Sequence, residues 1–128
     1  VKTVILFGYH GKLIKLAGGI FHTHNHLADG RIEILVYLAV KEKIPNEIII
    51  KLSHLHTLED ALLLLEGFNK SIANKLFQNL SNTIEKRSFA YVNRYVKTDM
   101  QIAAIVFDRK RKIRWSGING TDYISSFQ

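Results

Sequence analysis

The sequence predicts an α/β fold, with strands at both ends of the chain and a helical middle, as a piece of a larger α/β protein. Three observations carry this expectation. Val4, Ile5, Leu6 and Phe7 form an apolar run bounded by Gly8. Between residues 27 and 96, apolar side chains recur mostly at helical spacing. Residues 101–107 are rich in β-branched side chains, as strands are. A chain that opens at Val1 directly into a strand-like run also predicts that more protein belongs with it.

The elements follow in order. Lys2 to Phe7 read as a buried strand, and Lys12 to Ala17 as a short helix closed by Gly18-Gly19. Leu27 to Lys43 read as a longer helix. Ile32, Leu35, Val36, Ala39 and Val40 line one face of it, and Ile34 and Leu38 add a second, which predicts burial on both sides. Pro45 ends it. Asn46 to Leu55 and Leu58 to Leu65 are two further helices, the second opened by Thr57 with Asp60 three residues later. Asn69 to Val96 read as helical with a break near Ser81 or Ser88. Gln101 to Phe107 form a strand, Asp108 to Lys112 a turn, and Ile113 to Trp115 a second strand. The Gly/Ser-rich tail from Gly117 is expected to fray.

Composition narrows the function classes. At 128 residues the chain predicts one domain with a sizeable core. There is no cysteine, which excludes disulfides, a thiolate nucleophile and Cys-ligated metal, and fits a reducing, cytoplasmic setting. No uninterrupted apolar stretch of about 18 residues is present, so no membrane span is expected. The net charge is +7 and uneven. Nine Lys/Arg lie between Lys86 and Arg114, including Arg109-Lys110-Arg111-Lys112. Such a surface attracts polyanions, whether nucleic acid, anionic lipid or a multiply carboxylated small molecule; a solvated hairpin tip and helix face is the plain alternative.

The densest chemistry lies in residues 9–33, YHGKLIKLAGGIFHTHNHLADGRIE. A strand, then Gly8-Tyr9-His10-Gly11-Lys12, then a helix is a setting for an anion at a helix N-terminus. It is not a phosphate loop, since two residues rather than four separate the glycines and Leu13 follows the lysine. The dinucleotide fingerprint is absent too. His22, His24 and His26 alternate, so an extended backbone would turn all three to one side, as a metal site wants. The string from Thr23 to Asp29 approaches the T-H-x-H-x-D-H signature of metallo-β-lactamase-like hydrolases, but has Ala28 and Asp29 where that signature has Asp and His. A metal-dependent hydrolase therefore stays open as one alternative. A basic nucleic-acid-binding module over residues 86–114 is another, without a recognisable pattern of interleaved aromatics. Asn25 would cap a helix starting near Leu27, and Asp29 and Glu33 would share a helix face with Arg31 between them in sequence. That set suits an amine or ribose hydroxyls as well as it suits plain surface ion pairs.

The same residues resemble one family closely. Gly8, His10, Gly11, Lys12, Leu13, Lys15, Leu16, Ala17 and Gly19 match a strand ending in Gly followed by H-x-G-K-L-x-K-L-A-x-G. Thr23, His24, Ala28, Asp29, Arg31 and Glu33 match T-H-x-x-x-A-D-x-R-x-E. Together they resemble the cobalt-precorrin-5B C(1)-methyltransferase (CbiD) family of anaerobic cobalamin biosynthesis. Downstream the likeness is looser, a helical region and then a strand such as Ile105-Val106-Phe107-Asp108-Arg109, and Asn25 stands where Ser is frequent.

The resemblance implies an enzyme that transfers a methyl group from S-adenosyl-L-methionine to carbon 1 of a cobalt corrinoid. The cobalt belongs to the substrate, and no protein-bound metal is expected. Because the family's chains are longer, it also implies that residues 1–128 are the C-terminal domain of a longer methyltransferase. A missing N-terminal part would contribute to the site, and the fragment alone would be inactive. Under this reading Gly8 and Gly11 approach the methyl donor, and Asp29 or Glu33 takes its ribose or ammonium. Lys12, Lys15, Thr23 and Arg31 meet the corrinoid and its carboxylate arms, and His24 orients or exchanges a proton. Neither nucleic acid nor membrane is the expected partner, and a homo-oligomer stays open.

Overall fold

The computed structural model describes residues 3–19, 21, 30–95 and 99–127. The chain runs β1 (Thr3–Tyr9), α1 (His10–Ala17), α2 (Arg31–Lys41), α3 (Asn46–Ser53), α4 (Leu58–Phe68), α5 (Lys70–Tyr95), β2 (Gln101–Phe107), β3 (Ile113–Ser116) and α6 (Ile118–Ser125). The three strands form one sheet in the order β1-β2-β3. β1 and β2 pair in parallel from Thr3↔Gln101 to Tyr9↔Phe107, and β2 and β3 pair antiparallel with a register shift at Val106/Phe107. A parallel pair needs a long crossover, whose described residues form five helices. The α/β class with a helical middle is therefore the observed one.

Several elements have a local cause. α1 closes as expected: Gly18 N–H donates to Lys15 O and Gly19 N–H to Leu16 O, with Gly19 at φ +77°. Thr57 caps α4 by accepting the Asp60 N–H through Oγ1 at 3.1 Å. Asn69 does the same for α5, accepting the Ile72 N–H at 3.1 Å. β2 is buried from Ile102 to Val106, as befits the central strand. Ala104, Val106 and Trp115 join the core formed with Ile14, Leu35, Leu62, Phe77 and Leu80.

Four expectations are corrected. The helix expected from Leu27 begins at Arg31, because Gly30 at φ +72° holds the N-cap position in a left-handed conformation. Glu33 therefore lies in the first turn of α2, and Asp29, expected on the same helix face, lies outside the described residues. The expected cap Asn25 lies outside the described residues. Second, α2 is not buried on both sides, since Tyr37 and Val40 are exposed. Third, α5 is unbroken over 26 residues. Ser81 is buried and donates its hydroxyl to Phe77 O at 3.1 Å, so it is satisfied within the helix instead of ending it. Fourth, the tail does not fray but forms α6 against β2. The Glu85 carboxylate accepts N–H groups from Ala104 at 2.8 Å, Asn119 at 2.9 Å and Gly120 at 2.7 Å. Asn82 Oδ1 takes the Ile118 N–H at 3.0 Å. Gly117 and Gly120 are required there, because a Cβ at either would collide with Glu85 or with Ala104 O. Acceptors on α5 thus satisfy the free N–H groups of α6 from outside its own sequence.

Candidate functional site

The parallel pair has two ends, and the signature residues divide between them. At the carboxyl ends of β1 and β2 the strand meets the helix without an intervening loop. Tyr9, in extended conformation at ψ 140°, is the N-cap, and His10 already begins α1. Gly8 belongs to the strand and Gly11 to the first helical turn. A Cβ on Gly11 would lie 2.7 Å from Tyr9 Cε2, and one on Gly8 would lie 3.1 Å from Leu13 Cγ. The bare backbone at both positions is thus filled by the chain's own side chains.

His10 is fully enclosed, packed 4.3 Å from the Tyr9 ring, 5.7 Å from Phe77 and 6.1 Å from Trp115, centroid to centroid. Its Nε2 lies 3.1 Å from Glu59 Oε2. The carboxylate accepts, so Nε2–H donates, and Nδ1 is enclosed without a hydrogen-bond partner. Burial pushes the His10 pKa below its ordinary value, against the opposing pull of the Glu59 hydrogen bond. Burial, and then Glu59, pushes the Tyr9 phenol up, while Arg109 and Arg31 pull it down. Glu59 was not legible as a site residue, being 49 residues away in sequence.

The turn after β2 closes the same end. Asp108 Oδ1 accepts the N–H groups of Lys110 and Lys112 at 2.9 and 3.1 Å. Arg114 pairs with Glu66 at 2.8 Å and with Asp108 at 3.6 Å, and lies over the Trp115 ring at 4.6 Å. The basic turn is thus built on a buried aspartate, with the side chains of Arg109 to Lys112 exposed.

The other end lies where α1 stops. Gly18, Glu33, Ile34, Tyr37 and Arg87 line a recess of ≈ 390 Å³. It adjoins a second recess of ≈ 520 Å³, sharing Gly18 and Arg87 with it. Phe21 stacks on Tyr91 there, with centroids 4.0 Å apart and planes at 20°.

The expected site residues that are described are therefore not one cluster. Gly8, Gly11 and exposed Lys12 stand at the carboxyl ends of the strands, and Arg31 is near enough to act electrostatically on Tyr9. Glu33 is exposed beside the end of α1. Lys15, expected to meet a carboxylate arm, is 1% exposed. Thr23, His24 and Asp29 lie outside the described residues, as do His22 and His26. No group of three His, Cys, Asp or Glu side chains suited to a metal occurs among the described residues. Nor is any described helix long and apolar enough to cross a membrane.

A parallel β-strand pair opening at its carboxyl ends on a helix N-terminus is the framework of α/β ligand-binding proteins. Within that class the chain belongs to the CbiD family: the model of the CbiD C-terminal domain matches residues 22–117. It is 82% identical over all 128 residues to a cobalt-precorrin-5B C(1)-methyltransferase of Prochlorococcus marinus strain MIT 9312, covering 35% of that protein. Proteins of the same name from P. marinus subsp. pastoris and strain MIT 9303 are 73% and 46% identical, over 100% and 98% of this chain and 34% and 32% of theirs. The chain thus spans about a third of the length of the curated relatives it matches. No solved structure matches it.

Proposed function

We propose that this chain is the C-terminal domain of a methyltransferase acting on carbon 1 of cobalt-precorrin-5B to give cobalt-precorrin-6A, in anaerobic cobalamin biosynthesis. The observation that carries this reading is 82% identity along the entire chain to a protein of that name. S-adenosyl-L-methionine supplies the electrophilic methyl group. The recess beside Glu33 fits such a donor: an exposed carboxylate borders apolar Ile34 and the Tyr37 ring, which suits a cationic ligand carrying ribose hydroxyls.

Residues of the chain then act mainly by binding. Holding reactants in near-attack geometry is worth up to about 7–11 kcal/mol of barrier, and transfer from a sulfonium asks for little proton chemistry. Glu33, with Asp29, takes the ribose or ammonium of the donor. Gly8 and Gly11 shape the strand–helix junction that meets the ligands, through the Leu13 and Tyr9 side chains that fill them. Lys12, Arg31 and Thr23 face the corrinoid, Lys15 adds positive charge beneath the surface, and His24 orients the reacting groups. The N-terminal part of the same enzyme completes the corrinoid site, in a cytoplasmic setting and with homo-oligomers permitted.

The test is single-turnover methylation of cobalt-precorrin-5B by the intact enzyme, with calorimetric titration of S-adenosylhomocysteine. Transfer of one methyl to carbon 1 is expected, with weaker S-adenosylhomocysteine binding in Asp29→Ala and Glu33→Ala. Absence of transfer overturns the activity, and unchanged affinity removes the substituted carboxylate from the donor site.

A further inference from the structure

The recess between the glycine end of α1 and the C-terminal half of α5 has an unusual charge balance. Lys86, Arg87 and Arg94 all line it, on the side of α5 that also carries Tyr91. Arg87, Tyr91 and Arg94 follow at spacings of four and three, and Lys86 stands eight residues before Arg94, which keeps these side chains on one side of the helix. All three cations are exposed, and none has an ion-pair or hydrogen-bond partner among the described residues. The only acidic residue of α5 is Glu85, which is turned inward and occupied by the backbone of β2 and α6. Among the described residues no acidic side chain lines the recess itself, and Glu33 borders the adjoining one.

The opposite wall gives the cations room. Gly19 is in the left-handed conformation, and a Cβ there would come within 3.4 Å of Arg87 Nη1. That is ordinary contact distance, so the cost of a side chain at Gly19 would be the strained backbone. The floor is the Phe21–Tyr91 stack, extended by the Tyr95 ring at 5.4 Å from Tyr91. A row of separated positive charges beside aromatic surface suits a ligand with a broad apolar body and several carboxylates on its rim.

We propose that this recess of ≈ 520 Å³ binds the peripheral carboxylates of a multiply carboxylated macrocyclic ligand through Lys86, Arg87 and Arg94, with its apolar body against Phe21 and Tyr91. The identification of that ligand as the corrinoid rests on the function proposed above. Its position beside the Glu33 recess then puts donor and acceptor in neighbouring spaces that share Gly18 and Arg87.

The test is calorimetry on the intact protein with two probes, benzenehexacarboxylate and a cobalt corrinoid bearing free carboxylic acids. The double variant Arg87→Gln/Arg94→Gln should bind benzenehexacarboxylate at least about tenfold more weakly, since charge-assisted contacts to carboxylate are lost. Both positions are exposed, so the fold should tolerate the change. Lys110→Gln/Lys112→Gln removes the same charge from the turn after β2 and should leave that binding unchanged. Equal loss in both variants, or no binding by the unaltered protein, overturns the site. Displacement of the probe by a short DNA duplex that binds more tightly overturns a small-molecule ligand in favour of nucleic acid. If benzenehexacarboxylate binds through Arg87 and Arg94 but the corrinoid acid does not, the site stands and the corrinoid reading fails.

Discussion

At the start of α1, His10 has one nitrogen bonded to Glu59 and the other enclosed without a partner. This has a definite consequence for stability against pH. The unfolded chain takes up a proton on this imidazole near pH 6.5, whereas burial keeps the folded form neutral to lower pH. The contribution is therefore fully present above about pH 6.5 and is lost as the pH falls towards the depressed folded value. Denaturant midpoints measured from about pH 7.5 to about pH 5 should fall, and the fall should be shallower in His10→Gln. Parallel profiles would mean that other groups carry the dependence. Glu59→Ala strips the remaining partner from an enclosed donor and should cost about 1–3 kcal/mol at pH 7. The sequence made His10 visible through its place beside two glycines. Its role was not legible, because Glu59, Phe77 and Trp115 reach it from three later elements.

Among the elements, α6 depends most on a distant residue. A Glu85→Ala change leaves three backbone N–H groups without their acceptor and should destabilise the protein by about 3 kcal/mol or more. Hydrogen exchange should show the α6 amides losing protection first; unaltered protection there would show that packing alone holds the helix. Local signals were readable wherever a cap or stop lies within a few residues, as with Thr57, Gly18-Gly19 and the β-branched run Gln101–Phe107. They failed where the partner is remote. Residues 117–126 look like a loose Gly/Ser tail, yet those glycines permit the close approach to Glu85 and Ala104. Ser81 and Ser88 look like breaks, yet both lie buried within one continuous helix. Gly30 misled in the other direction, since helical periodicity continues across it while the backbone does not.

For the molecule as a whole, the α/β class was legible from strand-like ends around a helical middle, but the division of the signature into two ends was not. That division arises because α1 carries the chain from Tyr9 to Gly19, where Arg87 and Tyr91 wait on a helix more than sixty residues later. The sheet also has an exposed feature. β1 is an edge strand in the order β1-β2-β3, reads TVILFGY without charge or proline, and leaves Val4 and Phe7 exposed. Such an edge invites another strand. Light scattering from the 128-residue chain should therefore rise with concentration, and Val4→Lys should suppress the rise; indifference to the lysine would place association elsewhere. Trp115 adds an experimental consequence of the packing. It is the only tryptophan, and its ring lies 4.6 Å from Phe77, beneath Arg114 and near enclosed His10. An emission-monitored unfolding curve will thus report when α5 parts from β3 and will be nearly blind to α3, so a second optical probe is needed before the transition is treated as all-or-none.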